Sequence, residues 1–437
     1  LAGPETRGLA SILGNLGWLL GGKGVGAVLS LVYLGLTART LGPAGFGQFS
    51  LIVGTAQALV AFVSFQTWQI VVRYGMAPLR AGDDARLGRL IAFCLALDLL
   101  TAALGCGLSW GAVVLLAPHL GWSAGLSRAA VAFCAVSLLS VRSTAVGVLR
   151  LFDRFDLGAM ADATTPLMRF AGALVVVATR PSVGGFLLAW GMAEIVTAAS
   201  YWIAVRRLTA PRLRLPILRG ASRAPRDAPG LWRFSWTTNL VLTLEAASRQ
   251  VAVVLVGLAT GPVAAGNYRL AVQLSQSIIR VSDMASRAIF AEFARTHGDA
   301  GGAGIDARRL FAHITRLAVA AALGLTLVLV IGRRALDLLA GPGHADAYPL
   351  LRLLSIAAAV ELAGIGFEPA LLALGHAGRA LVARCIAAVV LLAGLGVLLP
   401  GYGGIGAAWA TLLASVIGTV LLGRAASAVL PRRGAGV

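Results

Sequence analysis

The chain has 437 residues, 58% of them hydrophobic and only 13% charged, with a formal charge of +19. That balance excludes intrinsic disorder and is foreign to the surface of a soluble enzyme. All but one of the 37 basic residues are arginine, and they lie between apolar stretches rather than in one basic domain, which argues against a nucleic-acid partner.

Apolar stretches of about 20 residues, the length at which a helix crosses a bilayer core, recur along the chain. Taken in order they predict twelve helical spans. The first half gives about 11–38, 45–73, 88–117, 125–149, 158–179 and 182–205. The second gives about 232–259, 263–294, 309–331, 349–375, 379–399 and 403–424. Gly42-Pro43, Arg180-Pro181, Gly261-Pro262, Gly341-Pro342 and Pro400-Gly401 mark joints between them. The expected domains are an N-terminal six-helix bundle at 1–205, an Arg-rich cytoplasmic linker at 206–230 and a C-terminal six-helix bundle at 231–437.

Basic residues in short loops predict the orientation. Arg80, Arg86, Arg89, Arg150, Arg154, Arg295, Arg308 and Arg379 fall in loops that leave even-numbered spans, and the opposite loops carry far fewer. Both termini are therefore expected in the cytoplasm. The linker holds Arg206, Arg207, Arg212, Arg214, Arg219, Arg223 and Arg226 against one acid, Asp227, and four prolines argue against one long helix there. Such a segment reads as a topology determinant lying on anionic headgroups, with a regulatory or partner-docking segment as the alternative.

The chain also repeats itself at a fixed offset of 219 residues. LGPAGFGQFSLIVGTAQ at 41–57 returns as TGPVAAGNYRLAVQLSQ at 260–276. AALG at 102–105 returns at 321–324, and Gly184, Gly185, Ala189 and Trp190 return as Gly403, Gly404, Ala408 and Trp409. Six spans per half make this a parallel repeat, because an even number inserts both copies in the same direction. The expected fold is thus an all-α integral membrane protein of about twelve transmembrane helices. They form two pseudo-two-fold-related six-helix bundles around a central cleft, with alternating access as the natural mechanism.

A charge at the bilayer centre costs roughly 2.5–3.5 kcal/mol on insertion scales, so each one needs an account. Lys23, the only lysine, sits mid-span between glycines in LLGGKGVGAVL. In span 7, Glu245 and Arg249 are one helical turn apart. In span 8, Arg269, Gln273, Gln276, Arg280, Asp283 and Arg287 recur at helical spacing and form a polar stripe. The matching face of span 2 reads Ser50, Gly54, Gln57, Ala61, Ser64 and Trp68, so the halves share architecture but differ in charge. Lys23, Arg249, Arg269 and Arg280 suit a phosphate-bearing anion, with Gln57, Gln273 and Gln276 as further ligands. The competing reading of those cations is structural: pairing, snorkelling or capping. Glu245, Glu194 and Glu361 are candidates for ion coupling, by a proton or sodium ion, against local pairing. Asp98, Asp162 and Glu368 are the other acids in or near spans, and Asp162 and Arg169 are close enough in sequence to interact across two turns. Trp68, Trp110, Trp122, Trp232 and Trp236 read as interfacial anchors. Neither a nucleotide-binding loop nor a metal-ligand or nucleophile–base pattern is present, so the chain is expected to be a transporter rather than an enzyme, with no cofactor and no metal.

The LGPAGFGQFSL segment at 41–51, GPVAAGNYRLA at 261–271, the run at 348–381 and GYGGIGAAWATLLAS at 401–415 carry a family likeness. Their order and spacing resemble the polysaccharide flippases of the multidrug/oligosaccharidyl-lipid/polysaccharide exporter superfamily. The resemblance implies two six-helix bundles with spans 1, 2, 7 and 8 lining the cleft. It implies a polyprenyl-pyrophosphate-linked oligosaccharide as cargo, moved from the cytoplasmic to the outer leaflet of the bacterial inner membrane for cell-surface polysaccharide synthesis. Membrane lipids, a polysaccharide polymerase and glycosyltransferases are the implied partners. Gln250 stands where similar proteins commonly carry an acid after the span 7 arginine, which leaves Glu245 as the alternative there. Competing readings are a major-facilitator-type transporter, to which GDDARLGRL at 82–90 bears a partial likeness, and a multidrug-type antiporter of a small solute. A membrane-embedded polymerase would need a large outer loop, and the longest one expected is 332–348.

Overall fold

The computed structural model describes residues 4–210, 220–276, 324–325, 331–364, 367–368, 371 and 376–429, with backbone alone at 4–24, 237–238, 240–249, 377 and 429. Among the described residues there is no strand. The helices are α1 (Pro4–Val63), α2 (Thr67–Ala81), α3 (Asp84–His119), α4 (Ala124–Leu139), α5 (Ser143–Leu151), α6 (Phe155–Ala178), α7 (Val183–Thr209), α8 (Ala224–Asp227) and α9 (Leu231–Thr260). They continue with α10 (262–276), α11 (331–340), α12 (Ala347–Ala363) and α13 (Ala377–Val429).

Six stretches among the described residues are long and apolar enough to cross a membrane. Their outward faces agree: Leu100, Leu104, Leu108 and Leu115 on α3, Leu188 and Ile203 on α7, and Val389 and Val397 on α13 are all exposed. Apolar rows of that length are unstable against water and at home against lipid chains. The chain is an all-α integral membrane protein.

Its contacts divide it into two compact units, one of residues 1–41 and 48–251, the other of 42–47 and 252–437. The C-terminal end of the expected linker packs on the first unit. Ala224, Ala228 and Leu231 are buried against Leu87, Leu90 and Ile91 of α3. Arg89 pairs with Asp227 at 2.7 Å, and Arg86 donates to the Asp227 carbonyl. Residues 220–230 thus pack on the first unit through Ala224 and Ala228, while 211–219 lie outside the described residues.

The repeat is visible in backbone geometry. Gly42 (φ 65°) and Gly261 (φ 93°) occupy equivalent positions, both with positive φ and both followed by proline. Glycine admits that conformation, and proline at the first position of the next helix gives up only an N–H that has no partner there. The kink at Gly42 divides α1 into the first two expected spans. The last joint differs: the helix runs through Pro400-Gly401 and breaks at Gly403 (φ 57°). In the second unit the equivalent glycines Gly47 and Gly266 face each other. A Cβ on Gly47 would collide with the Pro262 carbonyl, and one on Gly266 would lie 3.1 Å from Gly47 Cα. Small residues let two backbones approach this closely.

Expected spans 2 and 4 each come in two pieces. The helix stops at Val63 and restarts at Thr67, and stops at Leu139 and restarts at Ser143. The residues responsible are Ser64-Phe65-Gln66 and Ser140-Val141-Arg142. Serine bonds to nearby backbone in competition with the helix, and Ser140 Oγ donates to the Val136 carbonyl at 2.7 Å. Freed backbone groups find side chains instead. Trp202 Nε1 donates to the Val141 carbonyl at 2.8 Å, and Gln66 N–H donates to Asn239 Oδ1 at 3.3 Å. Irregular backbone at membrane depth survives only with such partners.

Candidate functional site

The break at 140–142 delivers Arg142 to Glu194 of α7, where its Nη1 donates to Oε2 at 2.9 Å. Arg169 of α6 donates from Nη2 to Glu194 Oε1 at 2.7 Å and from Nη1 to Tyr33 Oη at 3.3 Å, and its guanidinium lies 5.6 Å from the Trp190 ring centroid. Glu194 and Arg169 are largely buried, with side chains 13% and 15% exposed, whereas Arg142 is 40% exposed. Arg169 Nε is buried without an acceptor. Two guanidiniums around one carboxylate leave the cluster with a net positive charge and donor capacity to spare. Around it Trp190 packs edge-on against Tyr33, Phe49 and Phe186, which fixes the ring that Arg169 faces.

A second polar cluster lies in the same unit. Asp98 of α3 is 5% exposed and accepts from Thr67 Oγ1 at 2.9 and 3.0 Å, from Thr144 Oγ1 at 2.6 Å and from Thr144 N–H at 3.1 Å. Thr67 opens α2 and Thr144 is the second residue of α5, so one carboxylate serves the N-terminal ends of two half-helices, where the helix dipole favours negative charge.

Of the residues expected to bind substrate, Arg269, Gln273 and Gln276 are half-buried at helical spacing on α10, and Gln57 is half-buried on α1. The side chains of Lys23, Arg249 and Glu245, and all of Arg280, lie outside the described residues. Of the acids expected to couple an ion, Glu361 of α12 accepts from Ser415 Oγ at 2.8 Å, and Glu194 is held between the two arginines. A carboxylate neutralised twice over gains little from a further cation. The expected Asp162–Arg169 contact is replaced: Asp162 accepts from Tyr201 Oη at 2.7 Å, because Glu194 offers Arg169 a closer partner from α7. Two expected anchors sit differently as well. Trp122 is buried, and Trp68 is half-buried with Arg150 over its ring at 4.1 Å. Glu368 pairs with Arg384 at 2.6 Å.

Sequence reasoning overlooked Arg142. An arginine in the middle of a 25-residue apolar span, flanked by Ser140, Ser143 and Thr144, obeys the rule that singled out Lys23. Asp98 was noticed as an acid, yet its partners come from two other spans and could not be paired with it by spacing.

The comparisons with known proteins agree with this architecture. The family model described as "Polysaccharide biosynthesis protein" matches residues 12–297. The Escherichia coli (strain K12) "Inner membrane protein YghQ" is 28% identical over 349 residues, covering 78% of this chain and 96% of that protein. Among solved structures, an inward-facing multidrug resistance MATE family transporter of the MOP superfamily aligns with TM-score 0.66 at 14% identity, covering 92% of this chain and 95% of its own. The lipid II flippase MurJ in an inward closed conformation aligns with TM-score 0.64 at 11% identity, covering 92% and 86%. The fold is therefore the one these solved structures share. The chain belongs to the polysaccharide biosynthesis protein family.

Proposed function

We propose that the protein is a flippase that moves a polyprenyl-pyrophosphate-linked oligosaccharide from the cytoplasmic to the outer leaflet by alternating access, with both termini in the cytoplasm and no hydrolytic site. The observation that carries this reading is the excess of guanidinium over carboxylate inside a membrane-spanning unit, where Arg142 and Arg169 share Glu194. Positive charge at that depth is expensive unless an anion or a hydrated path accompanies it. The name of MurJ, a lipid II flippase of the same fold, supports a lipid-linked cargo. In this reading Lys23, Arg249, Arg269 and Arg280 hold the pyrophosphate, Gln57, Gln273 and Gln276 contribute hydrogen bonds, and lipids, a polymerase and glycosyltransferases are neighbours. The second reading, a multidrug-type transporter of a small solute, draws on the MATE likeness. It would favour acids rather than cations in the interior.

The test is transfer of a polyprenyl-pyrophosphate-linked glycan across proteoliposomes. The double variant Lys23→Ala/Arg249→Ala should abolish transfer while the protein stays folded by size-exclusion chromatography. Full transfer by that variant overturns the assignment of these cations.

A further inference from the structure

Three helix starts among the described residues carry their own side-chain cap. Asp83 accepts from Arg86 N–H, Ser123 from Leu126 N–H and Ser182 from Gly185 N–H. The two half-helices that begin inside the first unit do not: neither Gln66 before α2 nor Arg142 before α5 makes a side-chain cap bond. Asp98 reaches both from α3: it accepts the Thr144 N–H of α5 directly and holds the Thr67 hydroxyl of α2, whose Trp68 N–H donates to Ser143 Oγ at the start of α5 at 3.3 Å. That is an unusual dependence, because a side chain from a third helix can release both starts together, whereas a local cap acts on one.

The charges around Asp98 are committed elsewhere. Just before α5, Arg142 goes to Glu194, and on α5 Arg150 goes to the Trp68 ring; on α2, Arg73 lies over Phe234 at 4.4 Å. On α3 itself the Cys94 thiol, one turn away, is the titratable group that faces the carboxylate. Among the described residues no Lys, Arg or His pairs with Asp98, so its charge rests on neutral donors alone.

The two oxygens are unequal. Oδ2 receives Thr144 N–H and Thr144 Oγ1–H, while Oδ1 is reached by Thr67 Oγ1 alone, at 2.9 Å. The single hydroxyl proton of Thr67 can serve only one oxygen at a time. A proton arriving on Oδ1 would turn that bond round, with Asp98 donating and Thr67 accepting. The freed Thr67 hydroxyl proton then turns to Asp98 Oδ2, 3.0 Å away, or to Thr144 Oγ1, 3.2 Å away, and either crowds the bonds that Thr144 makes. A main-chain N–H cannot reverse, so Thr144 N–H is left on a neutral oxygen, which accepts more weakly than a carboxylate.

We propose that Asp98 is the proton-coupling carboxylate of this transporter, taking a proton on Oδ1 and thereby loosening the starts of α2 and α5 together; this rests on the transporter reading given above. The loosening reaches beyond the pair, because the break at 64–66 is tied to α9 through Gln66 N–H and Asn239, and through the Phe65 and Trp236 rings 5.2 Å apart. α9 is also the helix in which the chain passes from one unit to the other, at 251–252.

The experiment uses the full-length protein in detergent. Infrared difference spectra of protein carrying 13C-aspartate should show a protonated carboxyl band on acidification, and Asp98→Asn should remove it. Hydrogen exchange, corrected for its intrinsic pH dependence, should speed up about tenfold at 66–68 and 143–145 in the wild type on acidification and be fast and pH-independent in Asp98→Asn. If Asp98→Asn fails to fold, the wild-type spectra and exchange decide together with Thr67→Val, which keeps the carboxylate and removes its reversible partner. A merely structural cap predicts no band and no change in exchange, and either result overturns the proposal. So does protection that follows sodium rather than pH. A carboxyl that titrates in a protein that moves no lipid-linked glycan leaves the site intact and sinks the flippase reading. Glycan moved with a silent carboxyl does the reverse.

Discussion

Glu194 and Asp98 are buried carboxylates of the same unit, and they are stabilised in opposite ways. Glu194 is met by two guanidiniums at 2.7 and 2.9 Å. Asp98 is met by two hydroxyls and one main-chain N–H. Opposite formal charges hold the first in place, through guanidinium donors that cannot become acceptors. Hydrogen-bond donors hold the second, and hydroxyl donors can become acceptors. The difference teaches that an intramembrane acid is not a coupling site by depth alone. Its partners decide whether it can change state.

The largest effect should come from breaking the first arrangement. Glu194→Ala leaves two guanidiniums facing each other in a largely buried place, and removing one partner of a buried pair costs about 3–5 kcal/mol. The loss should appear in thermal unfolding followed in detergent. Compensating it by Arg169→Met in the same chain should recover part of that stability, because the remaining buried charge goes as well. Recovery of nothing would mean that Arg169 is held by Tyr33 and Trp190 rather than by Glu194.

A middle-sized effect is expected at the second site. Thr144→Val keeps the shape and the main-chain donor and removes the 2.6 Å hydroxyl bond, which should cost about 1.5–3 kcal/mol for a bond to a charged group. The same variant should also shift the acid-induced exchange at 143–145 described above. A stability loss with an unchanged pH response would separate the structural role of Thr144 from the proton-sensing role of Asp98.

Sequence patterns revealed the architecture because lipid imposes simple rules. Span length, glycine–proline joints and the repeat at Gly42 and Gly261 are local features, and the structure gives both glycines a positive φ. The polar interior was harder to read. Arg269, Gln273 and Gln276 share one helix, so their spacing announces a common face. Arg142, Arg169 and Glu194 come from three different elements, and periodicity is blind to contacts between elements. The breaks were missed for a related reason. Ser64 and Ser140 are tolerated in helices, and what unwinds the chain there is the supply of distant partners: Asn239, Trp202 and Asp98. The packing at the linker's C-terminal end was hidden in the sequence because Ala224 and Ala228 are poor signals of burial beside so many arginines.

The smallest effect concerns what keeps the second break open. Trp202 Nε1 gives its only donor to the Val141 carbonyl, which has lost its helical partner where α4 ends. Trp202→Phe preserves most of the ring and deletes that bond, at a cost of about 1 kcal/mol. The site is only half-buried, which lowers the cost further, because water can take the place of the indole. Local exchange at 141–145 should therefore rise without a matching fall in global unfolding temperature. Arg142 follows this break directly, so a looser backbone there should also weaken its hold on Glu194. A double-mutant cycle between Trp202→Phe and Arg142→Gln should then show coupling between the break and the charged cluster. Strict additivity would make the break and the cluster independent, and the opening of α4 would have no bearing on the charge that Arg142 supplies.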